Sequence, residues 1–269
     1  MSKNHTKSGF TILELALAMA FISFLLLAIG FAMLQVSLVY QKGLTIKTVN
    51  STGREIIDEF SRTILASKYN RYDGHYEYTF TEKRDKVAIN GEDKEVQLYG
   101  AFCTGTHRYI WNTGYALDLP DEPENENKKA IFIERKEGND DVQYDKTIRL
   151  IRVNDPSREV CILHADRVGE SEENVFDANK ASNLVEILSP SENDLIFYDF
   201  VMFEPSFHEG TSQALFSGSF ILGTMAGTID ITLSGNFCTD KPEGLATDFT
   251  YCSVNKFNFA ARATGGLAI

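Results

Sequence analysis

Between Phe10 and Gln41 the chain carries one charged side chain, Glu14, and the next charge is Lys42. About 20 apolar residues in a helix suffice to cross a bilayer core, so this uninterrupted run commits the N-terminus to a membrane or to another apolar environment. A cleavable signal peptide has a shorter apolar region, about 7–15 residues, ahead of a small-x-small site. Ala16-Leu17-Ala18 fits that site, but a cut there would leave most of the apolar run behind. Lys3 and Lys7 precede the run closely, which favours an inside N-terminus and an exported body. Glu14 is the anomaly, because an acidic residue at the centre of a membrane helix costs roughly 2.5–3.5 kcal/mol on insertion scales. Either it lies shallow, near the headgroups, or it has a partner.

Past the apolar run, Val49, Ile56, Ile57, Phe60 and Ile64 recur at helical spacing, with Asn50, Arg54, Glu55, Asp58, Glu59 and Arg62 on the other face. The pattern predicts one helix over residues 10–68, about 88 Å long at 1.5 Å per residue. Residues 10–35 form its membrane half and 36–68 its amphipathic half. Gly30, Gly43 and Gly53 interrupt it, each at a cost of about 1 kcal/mol relative to alanine, which close helix packing or ordinary sequence variation would explain.

The stretch Lys7-Ser8-Gly9-Phe10-Thr11-Ile12-Leu13-Glu14-Leu15 resembles the cleavage and methylation signal of type IV pilins and pseudopilins. A short basic leader ends in glycine, phenylalanine follows, and glutamate is fifth from the new terminus. The resemblance implies a leader at 1–9, cutting between Gly9 and Phe10 by a prepilin peptidase, and methylation of the Phe10 amine. It also gives Glu14 a partner. In an apolar filament core its carboxylate neutralises the Phe10 amine of a neighbouring subunit, and removing one member of such a pair costs about 3–5 kcal/mol. The implied partners are other pilins or pseudopilins, the peptidase and an inner-membrane assembly platform. The implied location is the bacterial cytoplasmic membrane, single-pass with the N-terminus inside, and then a periplasmic or extracellular filament. A weak segment near Gly30 would unwind as subunits enter that filament.

Residues 69–269 carry 19 Lys/Arg against 34 Asp/Glu, and so acidic a body disfavours sequence-independent nucleic-acid binding. Candidate strands are Val96–Thr104, Arg108–Leu117, Ala130–Lys136, Thr147–Asn154, Glu159–Leu163, Leu184–Leu188, Asp194–Phe203, Ala214–Met225, Thr228–Ser234 and Val254–Ala263. Alternation is clean at Ile229, Ile231 and Leu233, and again at Phe257, Phe259 and Ala261. Asp194–Phe203 is apolar on both faces and reads as a central strand. The expected fold is α+β, a long N-terminal helix carrying one head domain (69–269) built on a mostly antiparallel sheet. The acidic stretches Leu119–Lys129 and Ala165–Asn183 read as solvated loops rather than calcium sites, since neither has EF-hand spacing.

Cys103, Cys161, Cys238 and Cys252 are an even set in an exported body, which suggests disulfides in one of three connectivities. The short loop between Cys238 and Cys252 makes that pair the cheapest closure, with Cys103–Cys161 by elimination; a bridged C-terminal loop also matches pilin-like heads. Zinc is the weaker alternative, as no CxxC is present. No GxSxG, HExxH, GxGxxG or Walker-type loop occurs, so no catalytic residue, metal or cofactor is expected. The expectation is a structural subunit, W- or J-like among the minor pilins, with a tip or initiation role suited to its bulky head. The alternatives are a secretion pseudopilin, a membrane-anchored adhesin using Tyr69–Tyr78 and His107–Tyr115 as contact surfaces, and an anchored hydrolase.

Overall fold

The computed structural model describes residues 11–66, 80–89, 92–104, 107–117, 132–137, 141–154, 175–177, 182–188, 195–207, 214–224 and 252–263. Helix α1 (Ile12–Ala66) runs unbroken through Gly30, Gly43 and Gly53 in the single chain. Its buried residues are Val49, Gly53, Ile56, Glu59, Phe60, Thr63 and Ile64, one stripe confined to the last third, with Ile57 half-buried beside it. The large apolar side chains from Ile12 to Tyr40 are all exposed.

The head follows as strands β1 (Phe80–Ile89), β2 (Glu92–Cys103) and β3 (His107–Asn112), a short helix α2 (Gly114–Leu117), then β4 (Phe132–Glu137), β5 (Asp141–Thr147), β6 (Leu150–Asn154), β7 (Val175–Asp177), β8 (Ser182–Leu188), β9 (Leu195–Phe207), β10 (Ala214–Thr224) and β11 (Val254–Ala263). They form three sheets rather than one. An antiparallel five-stranded sheet has the order β1-β2-β3-β6-β8, an antiparallel three-stranded sheet the order β11-β10-β9, and a third the order β5-β4-β7 with β4 and β7 parallel. The fold is α+β, as the patterning predicts. The alternation in β11 is as expected: Phe257, Phe259 and Ala261 are buried while Asn258, Ala260 and Arg262 are exposed.

Several elements differ from expectation. Arg108–Leu117 is not one strand. β3 ends at Asn112, Thr113 bridges to Phe197, and Gly114 opens α2. The Thr113 carbonyl accepts from the Ala116 and Leu117 amides, at 3.1 and 3.2 Å, and so curls the chain. Thr147 belongs to β5 and Leu150 to β6, which lie in different sheets. β7 falls inside the stretch read as the second acidic loop. β9 is apolar on both faces, yet it is an edge in hydrogen-bond order. Glu159–Leu163, Thr228–Ser234 and the first acidic loop lie outside the described residues.

Gln97 explains how β9 can be both an edge and buried. From β2 its side-chain amide donates to the Phe200 carbonyl at 2.9 Å and accepts from the Phe200 amide at 2.9 Å, as a neighbouring strand would. Its second N–H donates to Glu82, and its oxygen also accepts from the Trp111 indole at 3.4 Å. Both amide hydrogens are used and the oxygen accepts twice, so nothing polar on this buried side chain is stranded. Gln97 thereby joins the two sheets, alongside the Thr113–Phe197 bridge.

Candidate assembly site

Two regions of α1 are built for different tasks. The first is its opening turn. Thr11 precedes the helix, and its Oγ1 accepts from the Glu14 amide at 3.3 Å. The Glu14 carboxylate reaches back, with Oε2 accepting from the Thr11 amide at 3.0 Å and from the Thr11 hydroxyl at 2.9 Å. This is a capping box, two side chains satisfying backbone donors that the first turn cannot pair internally. Oε1 has no partner among the described residues. The carboxylate therefore caps its own helix and still presents an accepting oxygen. The Thr-x-x-Glu spacing that signals this cap is visible in the sequence at Thr11 and Glu14. Gly9 and Phe10 lie outside the described residues.

After this turn the helix is apolar on every side, and it is long and apolar enough to cross a membrane. Ile12, Leu17, Phe21, Phe24, Phe31 and Val39 are all more than half exposed. A face of that size has to be covered by lipid or by other apolar helices.

The second region is the joint between spine and head. Phe60 is fully buried at its centre. Its ring meets Phe102, Tyr109, Phe200 and Phe220 edge-on, with centroids 6.1, 4.7, 5.8 and 6.1 Å away, and Phe259 at 5.4 Å in a tilted pair. These partners come from β2, β3, β9, β10 and β11, so one helical side chain gathers both large sheets. Edge-to-face pairs add about 0.5–1.5 kcal/mol each beyond burial. Higher on the helix, Gly53 is a notch: a Cβ placed there would sit 2.2 Å from Cζ of Phe257. The Asn255 side-chain amide donates to Asn50 Oδ1 at 2.7 Å, pinning β11 to the same stretch of helix.

A polar cluster closes the other side of the joint. Glu59 pairs with Arg152 from β6 and with Arg62 one turn on. The Tyr109 hydroxyl and Thr63 Oγ1 share a 2.9 Å hydrogen bond beside it. Burial alone would push the Glu59 carboxyl up, but the Arg152 and Arg62 guanidiniums more than offset this and hold it below its usual range. Burial pushes the Tyr109 phenol well above its usual range, so it stays protonated.

Of the aromatics in His107–Tyr115, Tyr115 is half-buried and the other two are not available as a contact surface. Tyr109 and Trp111 are fully buried and belong to the core. Tyr69–Tyr78 lies outside the described residues. Cys103 ends β2 and Cys252 sits just before β11; both are buried and neither is a free thiol. Cys161 and Cys238 lie outside the described residues, and so therefore do the expected pairings. Among the described residues no group of three His, Cys, Asp or Glu side chains is placed to hold a metal ion.

Comparison of the chain with protein-family models, with curated proteins and with solved structures found no match. The architecture itself, a long N-terminal apolar helix whose far end packs on antiparallel sheets, is pilin-like.

Proposed function

We propose that the chain is a structural subunit of a type IV pilus-like filament, made as a single-pass membrane protein and assembled through α1. The observation that carries this reading is the division of labour along one helix. Its first half is apolar on all sides, bare of the head, and opens on Glu14; its last third packs one face against the head. A membrane anchor alone needs about 20 apolar residues; capping accounts for Glu14 Oε2 in its first turn, but an anchor has no use for the further accepting oxygen, Oε1. A filament subunit does, because cleavage after Gly9 creates a positive amine on Phe10 that must enter an apolar core. Glu14 Oε1 is the acceptor available to it.

On this reading Glu14 exchanges part of its bonding to Thr11 for the methylated amine of an adjacent subunit. The head, with residues 69–269 beyond the spine, suits a minor subunit at the tip or in initiation, where bulk is easier to place than along a shaft. Cys238–Cys252 and Cys103–Cys161 are the proposed disulfides, and the role is structural rather than catalytic. Glu14→Ala tests the proposal. The variant is expected to be cleaved normally and to remain in the membrane while filament incorporation falls at least tenfold. Incorporation at the wild-type level would refute the role given to Glu14.

A further inference from the structure

The outer face of the β9-β10-β11 sheet, turned away from Phe200, Phe220 and Phe257, carries an unusual pattern. Among the described residues of the head, the exposed large apolar side chains are Val185, Phe203 and Leu215, and the last two, at 52% and 38% exposure, lie on this face. The strand register fixes their neighbours. Asp199 of β9, Ile221 of β10 and Lys256 of β11 share one cross-strand row, and Phe203, Ser217 and Ala260 share another further along. Lys256 and Ala260 are exposed, and Asp199 is half-buried. The β9 side of the face therefore holds a carboxylate and a phenyl ring, and the β11 side holds an ammonium and a methyl in the same rows. β11 also runs alongside α1 in the same direction: Asn255 meets Asn50, Phe257 meets Gly53 and Phe259 meets Phe60.

We infer that this face pairs with the same face of a second copy of the chain, about a two-fold axis lying along β10. Such an axis sets β10 over β10 and exchanges β9 with β11 across the contact, so one surface is its own complement. Asp199 of one copy then faces Lys256 of the other, and the Phe203 ring faces Ala260, large against small. Stacked sheets lie about 10 Å apart, which a lysine and an aspartate can span. Within the chain Asp199 pairs with Arg84 at 3.4 Å, a surface contact worth at most about 1 kcal/mol, which does not hold the carboxylate back. Because β11 follows α1, the axis lies roughly along the spine. Both spines therefore leave in the same direction, as two chains anchored in one membrane must. Three strands by seven residues offer about 340 Å² per copy, less than half the roughly 800 Å² of a standard interface. The pairing accordingly belongs to chains concentrated by a shared membrane rather than to dilute solution. It needs α1 as an anchor but no filament, so it stands apart from the role given to Glu14.

The test is energy transfer between donor- and acceptor-labelled full chains in liposomes at fixed low density. Transfer is expected to exceed that of an unrelated single-pass protein at the same density. Lys256→Asp should lower the excess at least threefold, and Ala260→Phe, which sets ring against ring, should do the same. The double variants Asp199→Lys/Lys256→Asp and Phe203→Ala/Ala260→Phe restore the match across the two-fold and should recover the transfer. Within one chain the members of each pair stand on either side of β10, so the second change does not repair a folding defect caused by the first. Wild-type transfer at the control level would overturn the inference. So would single variants without effect, which would place the pairing in α1 alone, or recovery in neither double variant.

Discussion

Replacing Gly53 with alanine sets two physical effects against each other and so decides whether the spine is seated as described. On an isolated helix Gly→Ala is stabilising by about 1 kcal/mol, because alanine has less backbone freedom to lose. At Gly53 the new methyl would lie 2.2 Å from Phe257 Cζ and 2.5 Å from both Cε atoms. The Phe257 ring has little room to retreat: it is 8% exposed and stacks on Phe220 at 5.4 Å. Overpacking of this kind costs about 1–3 kcal/mol. The clash cancels or outweighs the helix gain, and a net loss of up to about 2 kcal/mol follows. Gly43→Ala is the control, since no atom lies within 4 Å of a Cβ at that position; it should stabilise or do nothing. Urea titration of the full chain in detergent reports both, read through Trp111, the single tryptophan, which is fully buried in the head core. A Gly53→Ala midpoint raised above wild type, the full helix gain with no clash, would refute the packing of Phe257 over residue 53, and with it the register of spine on head.

Three further perturbations probe the same joint. Phe60→Ala removes the ring shared by five aromatic partners and should cost about 3–5 kcal/mol by urea titration. Gln97→Leu leaves the Phe200 amide and carbonyl buried without their partners; a loss of about 1–3 kcal/mol per group is expected, against near-neutrality if the bridge is incidental. Glu59→Gln tests the polar cluster by pH. A carboxyl held below its ordinary value of 4.5 in the fold contributes stability above that pH and loses it as pH falls through the folded value. Wild type should therefore lose stability on acidification below about pH 4.5, while Glu59→Gln is weaker at pH 7 by about 1–2 kcal/mol and flatter in acid.

What could be read beforehand divides by the range of the interaction. The spine was legible because its signal is local: an apolar run, then Val49, Ile56, Phe60 and Ile64 at helical spacing. β11 was legible because Phe257, Phe259 and Ala261 alternate with exposed neighbours. β1 was missed because Glu82, Lys83, Arg84, Asp85 and Lys86 put charge on both faces of an edge strand, leaving no periodicity to detect. The place of β9 could not be read locally either. A residue 103 positions away, Gln97, supplies its missing hydrogen bonds, so a two-sided apolar strand sits at an edge. Close packing was one of the readings open for the helix glycines, and the ring of Phe257 over residue 53 gives that reason for Gly53. At the helix start, Thr11 and Glu14 carried a capping signal in plain view, three residues apart.

The account rests on Phe10 becoming the first residue of the working protein, with Glu14 four positions behind it. Mass spectrometry of the N-terminal fragment from membranes of the native host addresses this directly. The predicted result is a chain that begins at Phe10 and carries one methyl group on its amine. A chain beginning at Met1, or trimmed after Ala18, would contradict it.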